Sequence, residues 1–159
     1  MTALGIDHLA LPAYDALASR RFYEEVLGFR LAAAYEGEGW DGHDWLMMIY
    51  EVGESGQQVA LCALAGLKRP KTLATDLPHA AFALADLNAL AAMEARLQRK
   101  DVAVKREDHG GQQAIYLTDP NGHVLEFTAP PSASGAIDTE AGGTADRWIA
   151  RHVGDDRGR

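Results

Sequence analysis

Cysteine is almost missing from this chain. The lone Cys62 rules out an intrachain disulfide and suits a reducing compartment, so a cytoplasmic location is expected. Long apolar runs are missing too. No stretch approaches the roughly 20 apolar residues that span a bilayer, so no membrane partner is expected. The opening residues, Met1 to Asp7, have neither a basic flank nor an apolar core, which predicts no signal peptide. Basic residues are outnumbered, 15 Lys and Arg against 23 Asp and Glu, for a formal net charge of −8. That balance argues against broad, non-specific nucleic-acid binding, which needs a Lys/Arg surface. It leaves a local basic pocket open, favours solubility and says little about substrate.

With 159 residues, 47% of them hydrophobic, the chain is long enough for one globular domain with a real core. Residues Gly5–Leu11 alternate polar and apolar and read as a strand. A helix is expected from about Asp15 to Leu27, with Asp15 as N-cap and Gly28 just past its end. Its apolar positions Leu17, Phe22, Val26 and Leu27 lie near one face. Strands are expected at about Phe29–Tyr35, Trp45–Val52 and Gln57–Ala65, punctuated by Gly37, Gly39, Gly42, Gly53 and Gly56. Gly66–Leu77, carrying Lys68, Arg69, Pro70 and Lys71, reads as a linker.

After the linker the order repeats. Pro78–Leu84 is strand-like, Asp86 can cap a helix over about Leu87–Arg99, and strands follow at about Val102–Glu107, Gln112–Thr118 and His123–Thr128. Asp119-Pro120-Asn121-Gly122 is a turn signal that should close a hairpin. The chain is therefore β-α-β-β-β written twice, an α+β fold with module one at 5–65 and module two at 78–129. His8 aligns with His79, and Val59-Ala60-Leu61 aligns with Leu125-Glu126-Phe127. Residues 1–130 form the expected domain. Beyond Pro130-Pro131 the tail, 131–159, is polar and Gly-rich and is expected to be flexible, with a short helix over Ala145–Val153.

Period two then assigns faces. Leu9 and Leu11, Phe82 and Leu84, Ile115 and Leu117, and Leu125 and Phe127 can pack on the helices. His8, His79, Tyr116 and Glu126 fall on the face away from them. Two curved sheets would bring such faces together around one cavity. Two neutral imidazoles and one carboxylate with open positions are a known metal set, suited to non-haem Fe(II), with Zn, Mn or Ni as alternatives. A single strand His is more often structural. A carboxylate on an inner face is harder to dismiss, because burying it unpaired is costly.

Several segments resemble the vicinal-oxygen-chelate superfamily of glyoxalases, bleomycin-resistance proteins and extradiol dioxygenases. They are Ile6-Asp-His-Leu-Ala-Leu11, Arg21-Phe-Tyr-Glu-Glu-Val-Leu-Gly-Phe29, His79-Ala-Ala-Phe82, and Ile115-Tyr-Leu-Thr-Asp-Pro-Asn-Gly-His-Val-Leu-Glu-Phe127. The resemblance spans about residues 5–129. It implies paired βαβββ modules forming a cupped, mostly antiparallel sheet around a metal cavity. His8, His79 and Glu126 match the usual ligands, and Tyr116 matches an active-site Tyr ten residues before the last ligand in extradiol dioxygenases. Glyoxalase I enzymes add a fourth, carboxylate ligand where this chain has Ala60, with Gln58 two residues away. That departure speaks against glyoxalase I.

Other candidates are weaker. His109 lies in the neighbourhood of the dioxygenase acid/base His, but a solvent-exposed His beside Gly110-Gly111 is as good a reading. His43 could line a cavity mouth but fits a surface loop slightly better, His123 has helix-side parity, His152 carries no argument, and Cys62 has cavity-side parity but is more often a small core residue. The expected function is a metal-dependent, dioxygenase-like enzyme on a small oxygen-chelating molecule, working as a homodimer. A glyoxalase-like lyase or isomerase and a metal-free drug- or metabolite-binding protein are the alternatives. A purely structural module fits the inward polar residues least.

Overall fold

Asp15 caps a helix as its position predicts: its side chain accepts a hydrogen bond from Ala18 N at 2.9 Å. In the computed structural model, which describes residues 6–53, 56–70, 78–131 and 139–152, this helix, α1, covers Ala16–Arg21. It runs on as a π-helical turn over Phe22–Leu27 and stops at Gly28, whose φ of 82° suits glycine. The wider turn lets Phe22, Tyr23 and Leu27 all be buried. Leu17 departs from the expected apolar face and is 60% exposed, because it lies in the first turn, outside the packed face. The second helix, α2, spans Leu87–Gln98 and is capped the same way by Asp86, which accepts from Ala89 N at 2.8 Å.

The strands are β1 (His8–Pro12), β2 (Arg30–Trp40), β3 (His43–Val52), β4 (Gln57–Leu64), β5 (His79–Ala83), β6 (Lys105–Asp108), β7 (Gln113–Thr118) and β8 (Val124–Ala129). They form two separate four-stranded sheets, ordered β1-β4-β3-β2 and β5-β8-β7-β6. In each, the first and last strands of the module pair in parallel and the rest are antiparallel. The duplication holds residue by residue. Ala10 lies level with Ala60, as Ala81 does with Glu126. β2 runs on through Gly37 and Gly39, where a break was expected. The Trp45 ring lies over Gly37, and a Cβ there would meet it at 2.8 Å.

The helix-side faces of both sheets enter one core. Leu61, Tyr50, Leu125, Phe127, Ile115 and Leu97 are essentially inaccessible. Phe82 bridges the modules, with ring centroids 5.4 Å from Phe29 and 5.3 Å from Phe127. Arg96 of α2 donates to the carbonyls of Val26 and Glu25 at 2.5 and 3.2 Å, a cation at the end of the module-one helix. Gly28 leaves room for that guanidinium, since a Cβ there would lie 2.8 Å from it. With one face of each sheet committed to this shared core, the opposite faces look outward.

A third helix, α3, covers Ala141–His152, overlapping and extending the one expected at Ala145–Val153. Much of the expected flexible tail, and residues 71–77 of the linker, lie outside the described residues. Among the described residues, no helix is long and apolar enough to cross a membrane.

Leu125 and Leu17 make a controlled comparison. Leu125→Ala, at 0% exposure, should cost about 2–5 kcal/mol in urea unfolding, the range for emptied core positions. Leu17→Ala should stay within about 0.5 kcal/mol of the parent.

Candidate functional site

On the outward face of module two, β5 and β8 set two of the expected ligands side by side. His79 Nε2 lies 3.0 Å from Glu126 Oε2; the imidazole is 36% exposed and the carboxylate only 9%. Tyr116 sits directly across from Glu126 on β7. Its ring meets the His79 ring edge to face, with centroids 5.8 Å apart. Burial, the hydrogen bond it donates to Glu126, and the charges of Glu126 and Glu107 together push the phenol up to about 12. It therefore stays protonated at neutral pH.

The row continues. His109 Nε2 is 3.1 Å from the Tyr116 hydroxyl, which accepts there while donating to Glu126. Glu107 Oε2 lies 3.7 Å from His109, and Lys105 Nζ pairs with Glu107 at 2.5 Å. The Lys105 hydrogen bond, then the charges of Lys105 and His109, hold Glu107 below the usual carboxylate range, against desolvation that raises it. The sequence left His109 open between an acid/base neighbour and a solvent-exposed His, and its side chain is 43% exposed. The hairpin brings it back: His109 N donates to Gln112 O at 2.8 Å, which turns the imidazole toward β7. Tight closure at Gly110-Gly111 was the available signal.

Module one offers a different half. His8 Nδ1 pairs with Asp7 Oδ1 at 2.6 Å, a carboxylate–imidazole contact that engages Nδ1 rather than Nε2. Gln58 lies level with His8. Ala60 stands where module two has Glu126, and Ile49, paired with Ala60, stands where module two has Tyr116. Beside these, Ala10, Pro12, Trp40, Cys62, Leu64 and Leu67 line an apolar pocket of about 270 Å³. Burial pushes the Cys62 thiol up, which keeps it a neutral part of that wall.

Within one chain the structure brings His79 and Glu126 together with Tyr116 and sets His8 apart on the other sheet. Among the described residues, no three His, Cys, Asp or Glu side chains are close enough to hold a metal ion. The donor chemistry suits a divalent metal: two imidazoles that each present Nε2, and one largely buried carboxylate. His43 instead donates from Nδ1 to Ala65 O at 2.8 Å and ties the β3–β4 sheet end, consistent with a structural role. His123 donates to Pro12 O at 2.7 Å and is also structural.

Comparison with known proteins adds a family. The model for the glyoxalase/bleomycin resistance protein/dioxygenase superfamily matches residues 5–127. Catechol-2,3-dioxygenase of Bacillus subtilis (strain 168) is 29% identical over 111 residues, covering 70% of this chain and 36% of that protein, so this chain spans well under half its length. Among solved structures, a glyoxylase/bleomycin resistance protein/dioxygenase domain from Frankia sp. EAN1pec has a TM-score of 0.64 at 19% identity, covering 82% of this chain and 100% of that one. The trypanothione-dependent glyoxalase I of Leishmania major has a TM-score of 0.61 at 18% identity, covering 96% and 99%. At these identities the two structures show a shared fold.

The Tyr116 environment gives a spectroscopic check on metal-free protein. Negative charge on Glu126 penalises the phenolate, so Glu126→Gln should move a tyrosinate absorbance step down from about 12 toward the ordinary 10. Tyr116→Phe should delete that step. An unmoved step in Glu126→Gln would show that Glu126 does not control the phenol.

Proposed function

The chain belongs to the glyoxalase/bleomycin resistance protein/dioxygenase superfamily, and from that premise we propose a metal-dependent, dioxygenase-like enzyme acting on a small oxygen-chelating organic molecule. The observation that carries this reading is the 3.0 Å convergence of His79 Nε2 and Glu126 Oε2 beside a protonated Tyr116. The likeness to a Bacillus subtilis catechol-2,3-dioxygenase supports the oxygenase over its alternatives. The apolar Ala60–Ile49 pair supports it too, since it leaves no carboxylate there to act as a fourth ligand.

His8, His79 and Glu126 would hold the ion, Fe(II) in preference to Mn, Zn or Ni. Bound there, it supplies Lewis acidity for the substrate oxygens and open positions for a bidentate substrate and O₂. The chain's own groups do the rest. Tyr116 keeps its proton, and turning that O–H from Glu126 to the substrate would let it donate to a developing oxyanion. His109 holds the Tyr116 hydroxyl from the far side. The apolar pocket of module one packs on the uncharged body of the substrate and excludes water.

Because no three His, Cys, Asp or Glu side chains group closely enough to hold a metal among the described residues of one chain, we place the site across a homodimer. His8 comes from one copy, and His79 and Glu126 come from the other. Superfamily members often form dimers, which agrees. The glyoxalase-like reading draws on one observation, the carboxamide of Gln58 level with His8, which could act as a weak fourth donor. A metal-free binding protein has no use for the trio.

Complementation tests the shared site. His8→Ala and Glu126→Ala should each lack stoichiometric metal alone. Coexpressed, they should recover one intact site per mixed dimer, because each chain supplies what the other lost. No recovery, with metal bound by a wild-type monomer, would place the trio within one chain.

The reaction is tested with Fe(II)-loaded protein, a panel of catechols and hemithioacetals, and O₂ added last. Oxygen uptake with ring-cleaved product is expected. Tyr116→Phe should slow that turnover about 10²-fold, as for other oxyanion donors, and leave metal content unchanged. Turnover without O₂, or with Zn or Ni, would replace the oxygenase with the lyase or isomerase.

A further inference from the structure

The outward face of module one is uncharged where a solvated sheet face would carry polar groups. Strand register sets its residues in rows across β1, β4 and β3. Ala10, Ala60 and Ile49 lie level, Pro12, Cys62 and Met47 make the next row, and Leu64 and Trp45 follow. The row at His8 differs: it holds Gln58 and Glu51, and Glu51 pairs with Arg30. An antiparallel sheet with one face in a core commonly turns polar residues to water on the other. Three uncharged rows on the second face therefore point to something that covers them.

The apolar pocket of about 270 Å³ lies on these rows, and Trp40 forms part of its wall. Local sequence explains why Trp40 is there. Asp41 and Gly42 both have positive φ, 53° and 80°. A two-residue hairpin turn requires this, and Asp-Gly is a sequence suited to it. The turn brings Trp40 level with His43, and His43 ties the hairpin tip to Ala65 O past the end of β4. The Trp45 ring lies over Gly37 and meets Trp40 edge to face, with centroids 5.8 Å apart. Trp40 is thus braced from behind, yet it stays 44% exposed, and Leu67 of the same wall stays 39% exposed.

His8, Ala10 and Pro12 share one face of β1. At about 3.3 Å per residue, Ala10 lies roughly 7 Å and Pro12 roughly 13 Å along the strand from His8. The pocket therefore starts one strand repeat beyond the proposed ligand and runs away from it. That position suits a part of the substrate other than its chelating oxygens. His8 and the pocket belong to one module, so this holds whichever chain supplies His79 and Glu126. We propose that the pocket selects an uncharged aromatic arm on the substrate, with Trp40 as the specificity-determining residue. The substrate class is then an oxygen chelate that carries a second, non-ionised ring. Among the described residues, no charged side chain lines the pocket. An ionised arm would lose its hydration there and gain no partner. A ring fits better than a flexible chain, because it loses less freedom on binding and can stack on Trp40 or meet it edge to face.

The inference rests on the proposed metal-dependent function for the chelating end of the substrate, but the pocket is tested without metal. Metal-free protein is titrated with indole, an uncharged two-ring probe, and with indole-3-carboxylate, and backbone-amide NMR follows both. Indole should shift Ala10, Cys62 and Leu64 and bind about tenfold or more tightly than the carboxylate. Trp40→Ala should weaken indole about tenfold, and Trp40→Phe, which keeps an aromatic wall, no more than about threefold. In Fe(II)-loaded protein, Trp40→Ala should lower the kcat/KM ratio of an aryl-substituted catechol to catechol by about tenfold. Sedimentation of the same variants checks the other occupant, a second copy of the chain. If Trp40→Ala does not fold, the two probes on wild type still decide. Three results would each overturn the inference: indole shifts confined to other residues, equal binding of the carboxylate, or a Trp40→Ala dimer that weakens while indole binding holds. If indole binds as expected but no catechol turns over, the arm site stands and the dioxygenase reading fails.

Discussion

Both sheets spend their helix-side face on the same core, and nearly everything else follows from that constraint. A strand has only two faces. Once Leu61 and Tyr50 in one sheet, and Leu125 and Phe127 in the other, pack toward each other through the helices, every alternate residue is sent outward. His79, Tyr116 and Glu126 share an outward face for this reason, and His8 lies on a different one. The core thus collects three groups of the candidate site and separates the fourth in a single act of packing.

The duplicated modules have diverged in a complementary way. Register shows that Glu126 and Tyr116 of module two correspond to Ala60 and Ile49 of module one. One copy of the motif carries the acid and the phenol, and the other carries an apolar wall with one imidazole. Two polar halves facing each other would crowd like charges, and two apolar halves would hold no metal. In the proposed dimer, a polar half against an apolar half would give a cavity suited to an ion at one side and an organic body at the other.

Polar groups also do the work at the seams. Arg96 satisfies carbonyls at one end of the first helix, and Asn121 satisfies groups at the other. Burying such groups is unfavourable unless each finds its partner, so they fix orientation more sharply than the phenylalanines around them. The acidic row from Glu107 through His109 to Tyr116 follows the same rule at the site. Burial first, and then the hydrogen bond to and charge of Glu126, keep the phenol neutral.

Sequence alone determined the elements, their duplication and the face of each site residue, because caps, turns and period-two alternation act over a few residues. Asp15, Asp86 and the Asp119–Gly122 turn are found where local rules put them. His79, Glu126 and Tyr116 could be grouped because strands of one module must pair to satisfy their backbones. Leu17 escaped the same reasoning, since an apolar residue in a first turn is buried only if something packs there. What tertiary structure decided is which faces meet. Alternation says that His8 points away from a helix, but not where the other module lies. That depends on Phe29 meeting Phe82, and on Asn121 reaching Tyr14 across 107 positions of chain. Contacts so far apart in sequence leave no periodic trace. The role of His109 was hidden for a related reason: its partner is chosen by the register of a hairpin, and a glycine pair marks the turn without saying which side chains it brings together.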